Sequence, residues 1–93
     1  MKDTIATLEQ TIRDRKQHPT EGSYTCTLFE GGDRRILKKI GEEAAEVIVA
    51  GALEDAERLA SETADLVYHL LVMLAAHDMS WQDVEAELAR RFK

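Results

Sequence analysis

Residues 66 to 76 read LVYHLLVMLAA, eleven residues that leave almost no side of a helix polar. A helix that is apolar all round is buried all round, and this run is too short to cross a bilayer. It reads as the centre of a helical bundle. With 93 residues, a chain folding alone buries only about two thirds of its unfolded surface, too little to wrap such a helix comfortably, so at least a dimer is expected. The single thiol, Cys26, cannot staple the fold, and no CxxC or Cys/His cluster offers zinc ligands. Stabilisation must come from packing.

The pattern along the chain is that of one all-α domain spanning residues 1 to 93, with no convincing alternation of β-branched residues. A first helix runs from Asp3, its N-cap, to about Gln17, with Ile5, Leu8 and Ile12 as a narrow stripe and Pro19 just beyond. His18 to Gly32 reads as a long loop holding Tyr24 and the Gly31-Gly32 pair, and a loop that long in so small a domain is functional or disordered. The second helix is expected over Asp33 to Ala52, with Ile36, Leu37, Ile40, Ala44, Val47 and Ile48 facing the core, and the third over Glu54 to His77. The fourth opens at Ser80 with Asp83 three residues on, a capping-box spacing; Val84 and Leu88 supply its inner face and Trp81 a packing anchor. The charged N-terminus, MKDTIATLEQ, lacks the apolar core of a signal peptide, which points to the cytoplasm and to no membrane.

Charge is distributed more tellingly than its total of −6 suggests. Residues 1 to 41 carry eight basic and six acidic groups, net +2, whereas residues 42 to 87 carry one basic and twelve acidic, net −11. An acidic balance argues against binding nucleic acid by phosphate neutralisation. On the second helix the arc opposite the core collects Arg35, Lys38 and Lys39, then Glu42, Glu43 and Glu46. Cations thus lie toward the positive end of the helix dipole, the reverse of what stability alone favours. On the third helix Glu62 and Asp65 share a stripe with Arg58 and His69.

If those two helices pack antiparallel, Glu43 and Glu46 face Glu62 and Asp65. Four converging carboxylates repel unless a polyvalent cation sits among them, and oxygen-only ligands favour Mg²⁺ or Mn²⁺. A solvated acidic face is the alternative. A di-iron centre is excluded, because no ExxH pair is present. His69 reads as a satisfied core histidine, hydrogen-bonded to Asp65 one turn back, and Asp65 as set in apolar surroundings. Arg34, Arg35, Lys38 and Lys39 either keep the helix soluble or neutralise phosphate oxygens beside the metal. Tyr24 is a weaker candidate, for a ribose or base.

The stretches RILKKIGEEAAEVIVA (35 to 50) and SETADLVYHLLVML (61 to 74) closely resemble the phosphoribosyl-ATP pyrophosphohydrolases of histidine biosynthesis, and the likeness extends through SYTCTLFEGG and SWQDVEAELARR. The EExxE and ExxD core (Glu42, Glu43, Glu46, Glu62, Asp65) is similar to the signature of the wider MazG-like all-α nucleotide pyrophosphohydrolases. The resemblance implies a four-helix MazG-like bundle completed by intertwined homodimerisation, with composite active sites. It implies Mg²⁺ held by Glu43, Glu46, Glu62 and Asp65, with Glu42 a further ligand or the base that orients water. The implied reaction is Mg²⁺-dependent hydrolysis of phosphoribosyl-ATP to phosphoribosyl-AMP and pyrophosphate, with catalytic roles for Glu42 and Glu43 and phosphate contacts from Arg35, Lys38 and Lys39. Many relatives are fused to a cyclohydrolase; this chain looks like the stand-alone form. A general nucleoside triphosphate pyrophosphohydrolase and a non-catalytic acidic dimer that docks a basic partner stand as alternatives.

Overall fold

The computed structural model describes residues 3–92; residues 1, 2 and 93, part of the single-domain reading, lie outside them. Four helices, α1 (Thr4–Gln17), α2 (Tyr24–Leu53), α3 (Ala56–Ala76) and α4 (Trp81–Arg91), make up the fold, and the described residues contain no strand. The all-α class holds, with each boundary set by a local signal. The Asp3 side chain accepts from the Ala6 N–H at 3.1 Å to start α1. Asp55 does the same for Arg58 N–H at 2.9 Å, so that two residues, Glu54 and Asp55, suffice to turn the chain from α2 into α3.

The expected loop from His18 to Gly32 is the largest departure from the sequence reading. Ser23 caps a new helix by accepting from the Cys26 N–H at 3.3 Å, and helical backbone begins at Tyr24. YTCTLF is poor in strong helix formers, which is why it reads as a loop, but burial of Cys26 and Leu28 overrides propensity. The helix breaks at Gly32, whose φ of 68° and ψ of −165° fall in a region that essentially only glycine occupies. Residues 24–31 and 33–53 therefore form two limbs. The first starts where Tyr24 meets His69, and the second starts where Asp33 meets His77. Eight residues separate His69 on α3 from His77, the residue that caps its C-terminal end, about 12 Å of helix, which is the length of the first limb. The first limb runs alongside α3 and the second returns antiparallel to it. Gly31 is held too, since a Cβ there would lie 2.6 Å from the Arg35 Cβ. Gly32→Ala should cost about 1–3 kcal/mol and lower the melting temperature by at least several degrees, read by thermal unfolding; an unchanged melt would mean that the break is not required.

Ile12 of α1, Leu28 and Ile36 of the two limbs, and Leu71, Val72 and Ala75 of α3 form the buried core, with Trp81 packed against it as an anchor. A fully buried Leu or Ile of this kind contributes roughly 1.5–3 kcal/mol. Two ion-dipole contacts fix the periphery: Lys16 Nζ donates to the last-turn carbonyl of Ala75 at 2.8 Å, and Glu9 accepts from the first N–H of α4, that of Trp81, at 2.7 Å. α3 is long and apolar enough by composition to cross a membrane, yet it packs as the core helix of the bundle and carries Glu62 and Asp65 near its middle.

Several residues assigned to the core are not covered. Leu37 and Ile48 are exposed, at 49% and 70%, because the second limb buries Ile36, Glu43 and Ala50 and partly Ile40 instead; Leu88 of α4 is exposed at 49%. The chain is also looser than its size requires. Its radius of gyration is 14.3 Å, where about 12 Å is usual for this length. Its accessible surface is 6678 Å², roughly 1,200 Å² above that of a compact monomer of the same mass.

Candidate metal centre and active site

The antiparallel second limb and α3 bring together Glu43, Glu62 and Asp65, which each offer one oxygen within 4.8 Å of the others. Glu43 and Glu62 are buried, at 8% and 6% exposure. Each has one oxygen engaged by a cation: Lys39 Nζ stands 3.5 Å from Glu43 Oε1, and Arg58 Nη2 donates to Glu62 Oε1 at 2.8 Å. The other oxygen of each, Oε2, is buried without a hydrogen-bond partner among the described residues. Two orphaned carboxylate oxygens in one cluster are costly, and a bound cation removes the cost. The donor set is all oxygen, which suits a hard divalent ion. The residues present fit a metal.

Asp65 departs from expectation by lying exposed at the mouth of the cluster, because the all-round apolar run starts only at the next residue. Glu46 stands outside the trio, exposed, on the wall of an open groove of about 310 Å³ shared with Ala45, Val49, Glu54, Arg58 and Glu62. Glu42 lies on the other flank. It pairs with Lys39 at 3.4 Å and lines a second groove, of about 400 Å³, with Gly31, Arg34, Arg35, Lys38 and Lys39. The acidic centre is thus bordered by a basic groove along the second limb. Burial pulls the Lys39 pKa down, but Tyr24, Glu42 and Glu43 outweigh it and hold the ammonium above its ordinary value. Arg34, Arg35 and Lys38 make no ion pair among the described residues.

His69 is a core histidine, as its position suggested, at 4% exposure. Its link to Asp65 is to the main chain rather than the carboxylate: Nδ1 lies 2.7 Å from the Asp65 carbonyl oxygen. A carbonyl only accepts, so Nδ1 carries a proton, and Nε2 faces the Tyr24 hydroxyl at 3.1 Å. Next to it Thr25 Oγ1 meets the Tyr68 hydroxyl at 2.5 Å. Burial raises the Tyr68 pKa, with the Thr25 hydrogen bond opposing in part. These bonds tie the start of the first limb to α3 one turn beyond Asp65. Tyr24, read as a loop residue free to meet a sugar, has its hydroxyl occupied by His69 and only its half-exposed ring open to solvent.

The sequence reading placed Arg58 on the acidic stripe without assigning it a partner. The signal was there in the i, i+4 spacings from Glu54 to Arg58 and from Arg58 to Glu62, both of which form ion pairs. The Thr25 to Tyr68 bond joins residues 43 apart and had no local signal.

Residues 5–92 match the family model described as phosphoribosyl-ATP pyrophosphohydrolase. The chain is 56% identical over 90 residues to the phosphoribosyl-ATP pyrophosphatase of Pelotomaculum thermopropionicum, covering 97% of this chain and 92% of that one. It is 47% identical over 93 residues to the phosphoribosyl-ATP pyrophosphatase of Metallosphaera sedula, with both chains covered in full. It is also 53% identical over 89 residues to the histidine biosynthesis bifunctional protein HisIE of Nostoc sp., where the match covers 96% of this chain but 41% of the longer relative. The chain belongs to the phosphoribosyl-ATP pyrophosphohydrolase family.

Proposed function

We propose that the protein hydrolyses phosphoribosyl-ATP to phosphoribosyl-AMP and pyrophosphate, using Mg²⁺ held by Glu43, Glu62 and Asp65, with Glu46 completing the set from the groove wall. Mn²⁺ is a chemically reasonable substitute. The observation that carries this reading is the pair of buried, unpartnered oxygens on Glu43 and Glu62, both in the trio that also holds Asp65. Family membership supports the substrate. When bound, the metal would lower the pKa of a coordinated water and neutralise the pyrophosphate that leaves. Glu42, exposed and one position from Glu43, would orient the water or accept its proton. Arg35, Lys38 and Lys39 line the basic groove and would hold phosphate oxygens as charge builds on them. The ring of Tyr24 is the part of that residue left to meet a sugar or base.

The working unit in this reading is a homodimer, in a cytoplasmic setting suited to biosynthesis of a small metabolite. Support for the dimer comes from the surplus surface and from Ile48 and Leu53, which are 70% and 81% exposed on the second limb. An apolar groove between α1 and α3, lined by Ile5, Leu59, Ala60 and Val67, adds further uncovered apolar surface. Sedimentation equilibrium at micromolar concentration distinguishes the dimer from a folded monomer. The activity is tested by pyrophosphate release from phosphoribosyl-ATP, ATP and dUTP, each with Mg²⁺ and with EDTA. The expected result is Mg²⁺-dependent release that strongly favours phosphoribosyl-ATP. Equal turnover of ATP or dUTP would point to a general pyrophosphohydrolase, and no release from any of them would leave an acidic interaction protein.

A further inference from the structure

Arg58 is the only cation between Glu42 and Glu87, and it stands in the first turn of α3, three residues after the cap Asp55. The positive end of the helix dipole disfavours a cation there, so helix stability does not explain its presence. Its guanidinium bridges two carboxylates, with Nη2 2.8 Å from Glu62 Oε1 and Nε 3.4 Å from Glu54 Oε1. Glu62 is buried while the Arg58 side chain is 57% exposed, on the wall of the groove that also holds Glu46 and Val49. One end of this ion pair is fixed and the other is free to move.

We infer that Arg58 is an exchangeable counter-ion of the metal centre, and a further substrate-contacting residue. It neutralises Glu62 in the metal-free protein; when a divalent cation takes Glu62, it turns about its Glu54 contact and binds phosphate oxygens of the departing pyrophosphate in the groove. This rests on the reading that the site cleaves a phosphoric anhydride. A divalent ion would take the unpartnered Oε2 of Glu62 while the guanidinium holds Oε1, so two cations share one carboxylate and repel each other, and Glu54 provides a second anchor for Arg58. Pyrophosphate brings negative charge back to the groove, and the planar fork of Arg suits its oxygens. Lys39 answers to Glu42 and Glu43 from the opposite flank, and among the described residues Arg58 is the one cation on the walls of the Glu46 groove.

The test is calorimetric titration of wild type, Arg58→Gln and Arg58→Lys with Mg²⁺, followed by titration of each Mg²⁺-saturated protein with inorganic pyrophosphate. Arg58→Gln should bind Mg²⁺ several-fold more tightly, because a competitor is gone, yet bind pyrophosphate about tenfold more weakly or worse. Arg58→Lys should keep Mg²⁺ affinity near that of wild type and recover only part of the pyrophosphate affinity. Weaker Mg²⁺ binding in Arg58→Gln would make Arg58 a strut that orients Glu62 and would overturn the inference, as would unchanged pyrophosphate binding. Absence of pyrophosphate binding in wild type would overturn it as well. A wild type that shows the expected binding pattern but does not hydrolyse phosphoribosyl-ATP would overturn the proposed activity and leave this inference standing.

Discussion

Glu62→Gln should lower phosphoribosyl-ATP hydrolysis by at least about 10²–10³-fold while leaving the protein folded. Glu62 is the most enclosed of the acidic residues in the centre, with one oxygen held by Arg58 and the other aimed at no protein donor. Glutamine keeps the shape and can still accept from Arg58, so the bundle loses little. It cannot supply a charged oxygen to a cation. Steady-state pyrophosphate release at saturating Mg²⁺, with circular dichroism to verify the fold, measures the effect. A variant within threefold of wild type would remove Glu62 from the machinery.

The second large effect separates two adjacent lysines. Lys39→Met and Lys38→Met should each lower the rate by on the order of 10²-fold if both hold phosphate in the transition state. Their stabilities should differ. Lys38 is exposed and has no ion pair among the described residues, so its loss leaves the melting temperature nearly unchanged. Lys39 pairs with Glu42 and Glu43, and without it the buried Glu43 carboxylate has no cation among the described residues of the metal-free protein. Lys39→Met should therefore melt below Lys38→Met in EDTA. Identical melts together with unchanged kinetics would reduce both lysines to solubilising residues.

The helices that were legible in the sequence are those whose pattern is local. Asp3 and Ser80 mark the starts of α1 and α4, and the run from Leu66 marks the centre of the bundle, whereas α3, expected from Glu54, is capped by Asp55 and begins at Ala56. The carboxylates that meet were legible for a related reason: i, i+3 spacing on two helices joined by a two-residue turn leaves little freedom in how they face each other. The first limb of α2 was hidden because Tyr24, Thr25 and Thr27 are weak helix formers, and the contacts of Tyr24 with His69 and of Thr25 with Tyr68 that help hold it lie more than 40 residues away in sequence. The break at Gly32 was visible only as a glycine pair, and nothing local says that the chain doubles back there. Leu37 and Ile48 were misplaced because a helical wheel shows which residues are apolar but not whether this chain or another covers them. Asp65 was misplaced because the apolar run is not buried on every side at its start: Leu66, Val67 and Tyr68, which follow it, are themselves only half-buried.

The sharpest test of the metal centre is thermal unfolding of wild type, Glu62→Gln and Asp65→Asn, in EDTA and in millimolar Mg²⁺. Without metal the acidic residues of the cluster repel, so Asp65→Asn should melt at or above wild type, with a gain of up to about 1 kcal/mol, while Glu62→Gln, which sets relief of that repulsion against its ion pair with Arg58, should stay near wild type. With Mg²⁺ the order should invert. Wild type gains RT ln(1 + [Mg²⁺]/Kd), about 1.4 kcal/mol at a tenfold excess over Kd, which is a rise of several degrees in a domain of this size, and the variants forfeit most of it. A screened acidic face predicts small shifts that are the same in either buffer. Wild type rising above both variants only in Mg²⁺ is the expected result, and a stability order that does not change between EDTA and Mg²⁺ would contradict the metal centre.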